Sequence, residues 1–173
     1  MTIEFSAVNG NAQGSKVDLN CLIIKSNGLG NLKTGMQVAE IFIMFPYEDI
    51  KKETINLEDD EYDVYNFYKN DKVIFSVEPN NEKIWRIWIH SERITTEKGL
   101  KIGDRLRDIK KYYKIKDFVV GEGQVAINVE NYDYGFILES KEIPEGWWTN
   151  QKLETLNDNL KIESIIITGR GTI

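Results

Sequence analysis

The sequence predicts an α+β fold: two tandem helix-plus-antiparallel-sheet units in two layers. Two internal alignments and one shared order of segments carry that expectation. The first alignment sets Leu32-Lys33-Thr34-Gly35-Met36-Gln37-Val38-Ala39-Glu40-Ile41 on Leu100-Lys101-Ile102-Gly103-Asp104-Arg105-Leu106-Arg107-Asp108-Ile109 without gaps, at an offset of 68. Leu32/Leu100, Lys33/Lys101, Gly35/Gly103, Val38/Leu106 and Ile41/Ile109 agree in kind, and Phe45/Tyr113 keep the same offset. The second alignment sets Ile84, Ile87 and Ile89 on Ile162, Ile165 and Ile167 at an offset of 78. Two matches in the same order favour a tandem duplication over chance. The ten-residue difference is placed as one insertion around Gly146-Trp147-Trp148-Thr149-Asn150-Gln151-Lys152.

Each unit is expected to open on a glycine turn followed by a short amphipathic helix, with Thr34 or Asp104 as its cap. Three alternating segments follow: 62–68, 72–77 and 83–90 in the first unit, 124–129, 133–139 and 161–168 in the second. Lys69-Asn70-Asp71 and Glu78-Pro79-Asn80-Asn81 have turn compositions, and Pro46 sits where the first helix must stop or kink. An alternating run over 16–24 offers one further strand. Residues 1–15, rich in Asn, Gly, Ser and Gln, read as a mobile lead-in, so the units span 16–95 and 96–173.

Strand alternation then assigns faces. Trp85, Ile87, Ile89, Ile165 and Ile167 are expected to form core under Val38, Ile41, Leu106 and Ile109. Ile84, Arg86, Trp88 and His90, with Ile162, Ser164 and Ile166, point the other way.

The helix–strand–strand–strand unit that opens on Gly35-Met36 or Gly103-Asp104 and closes on Ile-x-x-Ile-x-Ile resembles the small outer-membrane-assembly lipoprotein family of the SmpA/OmlA type. Doubled in tandem, it resembles the architecture of the β-lactamase inhibitor protein. The resemblance covers most of residues 32–168. It implies a two-layer unit whose helices cover one sheet face while the other face binds a protein. The lipoprotein pattern also has a lipidated N-terminal cysteine behind a signal, and the opening Met1-Thr2-Ile3-Glu4-Phe5 departs from that pattern.

Composition narrows the partner. The 173 residues carry 22 basic and 28 acidic side chains, a formal charge of -6 that disfavours nucleic acid and anionic membranes, where basic patches dominate affinity. Residues 1–95 hold 10 basic and 15 acidic side chains and residues 96–173 hold 12 and 13, so any acidic face belongs to the first half. No apolar run approaches the roughly 20 residues of a membrane span. Met1-Thr2-Ile3-Glu4-Phe5 shows no secretory signal, which fits a cytoplasmic protein or a trimmed periplasmic or secreted form.

One cysteine, Cys21, and one histidine, His90, rule out an internal disulfide and any His/Cys metal cluster, and no cofactor motif is present. Any Ser-His or Cys-His arrangement must run through His90. The cluster Glu58-Asp59-Asp60-Glu61 with Asp63 offers oxygen ligands but lacks the alternation and internal glycine of a calcium loop, so it reads as a solvated loop. Asn27-Gly28-Leu29-Gly30 and Gly121-Glu122-Gly123 lack the context of a phosphate cradle and read as turns.

What remains is a non-enzymatic protein-binding module of the inhibitor, immunity or envelope-accessory type. Its candidate contact residues are Arg86, Trp88 and His90 on the sheet face and Trp147 and Trp148 in the inserted loop. Two alternatives stand beside it: a small-molecule binder using a groove between the units walled by Trp147, Trp148 and Tyr132, and a carboxylate-dependent hydrolase.

Overall fold

A computed structural model describes residues 19, 22–57, 60–121 and 123–169. The lead-in 1–15, Cys21, and Glu58 and Asp59 of the acidic cluster lie outside the described residues. The chain starts with three short strands, β1 (Ile23–Lys25), β2 (Gly28–Leu29) and β3 (Leu32–Lys33), then helix α1 (Val38–Met44). Four strands follow, β4 (Ile50–Leu57), β5 (Asp60–Lys69), β6 (Lys72–Asn80) and β7 (Lys83–Ile89), and the short β8 (Thr95–Thr96) leads to helix α2 (Leu106–Tyr112). The second half continues with β9 (Ile115–Gly121), β10 (Gln124–Val129) and β11 (Tyr134–Leu138). A short helix α3 (Trp147–Asn150) and the closing β12 (Ile162–Thr168) complete it.

These elements correct the expected fold class. Strands take 48% of the described residues and helical turns 18%, so the chain is mostly β and not a pair of α+β units of balanced content. Two strands that the alternation did not announce account for much of the difference. β4 carries Lys51, Lys52 and Glu53, and β9 carries Lys116 and Asp117, both at the outer edges of the large sheet. Charged side chains suit an edge strand because they discourage further pairing, and they also break the apolar alternation that announces a strand.

The large sheet has eight strands in the order β4-β5-β6-β7-β12-β11-β10-β9, all pairs antiparallel. The halves meet where β7 pairs with β12, with Ile89 opposite Ile165 and Ile87 opposite Ile167. A small sheet, β3-β2-β1-β8, joins the N-terminal strands to the segment between the halves through the parallel pair β1 and β8.

Each glycine turn ties its helix to its closing strand by the same bonds. Gly35 N–H donates to Ile84 O at 2.7 Å and Gly103 N–H to Ile162 O at 2.9 Å. Val38 N–H donates to Glu82 O at 2.8 Å and Leu106 N–H to Leu160 O at 2.9 Å. Gly35 and Gly103 adopt φ of 85° and 91°, a left-handed conformation that glycine takes without a Cβ penalty. The helices start after Gln37 and Arg105, where Glu40 Oε2 and Asp108 Oδ2 accept the backbone N–H of those residues at 2.8 and 3.0 Å. Thr34 and Asp104 are therefore not the caps. Asp104 instead accepts the Lys101 N–H inside the preceding turn.

One cluster of buried side chains runs through both halves, with Ile41 of α1 and Leu106 and Ile109 of α2 against Ile87, Ile89, Ile165 and Ile167. Val38 packs at its margin. Trp85 is not part of it. The register pairs Glu78 with Arg86 and Pro79 with Ile84, which leaves Trp85 as the extra residue of a bulge; Glu163 is skipped in the same way between Ile162 and Ser164. Strict alternation fails there, so Ile84 and Ile162 turn into the core and Trp85 leaves it.

Candidate functional site

The face of the large sheet opposite the main core can be read across all eight strands from the register. One row runs Lys51, Asn66, Ser76, Trp88, Ile166, Gly135, Asn128, Asp117. On one side of it lie Glu78, Arg86 and Thr168, on the other Ser164, Ile137, Ala126 and Val119. Arg86, Trp88 and His90 thus share the face that the sequence assigns to them, and Ile166 sits directly opposite Trp88 across the junction of the halves. Trp88 packs with Ala126, Ile137 and Ile166 in a small apolar cluster separate from the main core.

Polar groups border this cluster. Arg86 lies 3.7 Å from Glu78, and its guanidinium carbon is 3.5 Å from the centroid of the Trp85 ring, which the bulge has turned toward it. Burial pushes the Glu78 carboxyl above the ordinary carboxylate range, and the Trp88 indole N–H and Arg86 pull against that shift. The indole N–H is buried without an acceptor at hydrogen-bond geometry, so its effect on Glu78 is that of a nearby dipole rather than a formed bond. Across the junction, Asn128 Nδ2 donates to Asp117 at 2.6 Å while its Oδ1 is buried without a donor. That oxygen lies over Gly135, where an added Cβ would approach it to 2.8 Å, so this point of the row has room only for glycine.

His90 is held by a polar chain. Ser76 Oγ donates to Asn66 Oδ1 at 2.6 Å and lies 2.9 Å from His90 Nε2. With the Ser76 proton given to Asn66, a proton on His90 Nε2 would complete the bond between His90 and Ser76. The arrangement braces β5 and β6 against the residue that follows β7. His90 as a residue is exposed, yet its Nε2 edge is buried against Ser76, and that burial lowers its pKa below the ordinary 6.5.

No protein-family model matches the chain, and no curated protein sequence does. A solved structure does: the crystal structure of the uncharacterized protein yfeY from Escherichia coli, at a TM-score of 0.63 and 19% identity, over 84% of this chain and 99% of that one. That likeness shows the fold alone.

The two tryptophans of the inserted loop lie elsewhere. Trp147 is 7% exposed and belongs to the main core, on the opposite side of the sheet from Trp88. Its ring is 6.2 Å from Phe118 and 5.5 Å from Trp148, and its Nε1 donates to Lys152 O. Trp148 packs half-buried against the same core. Tyr132 is 5.3 Å from Tyr113 and 5.0 Å from Tyr134, in an aromatic group of its own, so Trp147, Trp148 and Tyr132 do not form one wall. Among the described residues no group of three His, Cys, Asp or Glu side chains could hold a metal ion, and no helix is long and apolar enough to cross a membrane. Sequence reasoning missed Asn66, Ser76 and Glu78, although Asn66 and Ser76 interrupt the apolar runs Tyr65-Asn66-Phe67 and Phe75-Ser76-Val77 at alternating positions.

Proposed function

We propose that the chain is a non-enzymatic protein-binding module of the inhibitor, immunity or envelope-accessory type that holds its partner against the sheet face bearing Arg86, Trp88 and His90. The observation that carries this reading is the apolar strip of Trp88, Ile166, Ile137 and Ala126. It crosses the junction of the halves outside the main core and is bordered by Arg86, Glu78 and the Asn66-Ser76-His90 chain. Ile166, Ile137 and Ala126 are themselves buried, so a partner would meet the strip through half-buried Trp88 and Arg86 on its border, residue types enriched at binding hot spots. The braced polar chain adds rigidity, which lowers the ordering cost of association. The resemblance to the SmpA/OmlA-type unit and to the β-lactamase inhibitor protein points the same way.

The test is affinity capture with the wild type beside Trp88→Ala, Arg86→Ala and Trp148→Ala, followed by calorimetric titration of any protein captured in stoichiometric amount. Trp88→Ala and Arg86→Ala are expected to weaken binding by about thirty-fold, equivalent to about 2 kcal/mol, and Trp148→Ala to leave it unchanged. Unchanged affinity for both sheet-face variants, with folding verified by circular dichroism, places the interface elsewhere.

A further inference from the structure

We propose that the groove beside α1, on the helix-bearing side of the sheet, is a second docking site. Its occupant would be a segment of a partner protein that presents one aromatic side chain flanked by lysine or arginine. The argument starts from a comparison of the two halves. Reading outward from the junction on the core side, the first half runs Ile87, Val77, Tyr65, Lys52 and the second runs Ile165, Phe136, Ile127, Phe118. One step along, Asp63 and Thr54 in the first half stand where Val125 and Val120 stand in the second. The outer part of the second half is apolar, and the long connection between β11 and β12 covers it, with Trp147 against Phe118. In the first half the corresponding connection, between β6 and β7, is the two-residue turn at Asn81 and Glu82. That turn lines one side of a groove of 710 Å³ between it, α1 and β5.

The lining fixes the chemistry of the occupant. Phe42, Tyr62 and Tyr65 supply aromatic surface, Phe42 and Tyr65 meeting edge to face at 5.8 Å. Glu61, Asp63 and Glu82 are the charged groups among the described lining residues, and none is a cation. Lys52, just outside, pairs with Asp63 at 2.8 Å, so Glu61 and Glu82 leave the rim acidic. An aromatic side chain fits because Phe42 and Tyr65 line the groove with ring surface against which a further ring can pack. Basic flanks fit because they would meet Glu61 and Glu82 and the faces of the tyrosines. The volume lies within the range of about 300–1,000 Å³ typical of ligand pockets, enough for an indole and part of its neighbours.

The test titrates the full-length, isotope-labelled protein with three capped tripeptides, Lys-Trp-Lys, Glu-Trp-Glu and Lys-Ala-Lys, and follows backbone amide shifts. Lys-Trp-Lys is expected to shift amides of α1, of 61–65 and of 80–82 at the lowest concentration, with Glu-Trp-Glu and Lys-Ala-Lys weaker. The surface variant Glu61→Gln/Glu82→Gln should weaken Lys-Trp-Lys by about fivefold. Trp88→Ala should leave this binding unchanged, which separates the groove from the opposite face and lets either proposal fail alone. Equal binding of Lys-Trp-Lys and Glu-Trp-Glu, shifts that map elsewhere, or no shifts at all overturns the proposal.

Discussion

Neighbouring side chains on β7 have opposite fates, and the bulge at Trp85 decides them. Ile84 is 1% exposed in the main core, whereas Trp85, though larger, lies outside that core and meets the Arg86 guanidinium. Ile84→Ala should therefore cost about 2–5 kcal/mol in chemical denaturation, and Trp85→Ala distinctly less. The reverse order would show that strict alternation holds through the bulge. His90 gives a second prediction at this scale. Its pKa in the folded protein is depressed by burial, so below the ordinary 6.5 the unfolded chain binds the proton more readily than the folded one. The stability it contributes is complete above 6.5 and is lost as pH falls through the depressed value. Denaturation midpoints of the wild type should fall over that window more steeply than those of His90→Gln, and identical slopes would mean that His90 titrates as in the unfolded chain. The partial exposure of the ring keeps this effect modest.

At the scale of elements, the connection between β11 and β12 explains a sequence feature that reads as a surface loop. Trp147 and Trp148 have neither strand nor long-helix periodicity, yet α3 turns them onto the core side of β9, where Phe118 and Val120 need cover. The first half solves the same problem differently. It places Lys52, Thr54 and Asp63 at the equivalent positions, so a two-residue turn suffices there. Trp147→Ala should accordingly cost about 3–5 kcal/mol, the usual range for emptying a buried aromatic site, while Trp148→Ala costs less. Comparable small losses for both in urea denaturation would put the pair back on the surface. Both hairpin turns were legible in composition, but only the first in position. Asn70 and Asp71 adopt left-handed φ of 49° and 59° where the turn is expected, whereas the next turn falls at Asn81 and Glu82, because β6 continues through a bulge past Glu78 and Pro79.

For the whole molecule, the continuous sheet and the shared core make the halves interdependent. Ile87, Ile89, Ile165 and Ile167 are each 0% exposed at the junction, so removing one half would bare the other half's closing strand over its paired residues, 86–89 or 165–168. Residues 96–173 expressed alone should not fold, and the full chain should unfold in one transition with calorimetric and van't Hoff enthalpies in agreement. Two resolved transitions would show separable halves. Repeated local rules were enough for the sequence to determine the glycine turns at Gly35 and Gly103, six of the long strands, and the grouping of Arg86, Trp88 and His90 on one face. A positive φ, a period of two and a helical spacing each leave their mark within a few neighbouring residues. Tertiary structure alone decided that β7 and β12 pair into one sheet, that bulges turn Ile84 and Ile162 inward, that the charged strands β4 and β9 close its edges, and that Trp147 lies on the far side from Trp88. Those outcomes depend on which surfaces are left uncovered once distant segments pack, a quantity that no window of the chain contains.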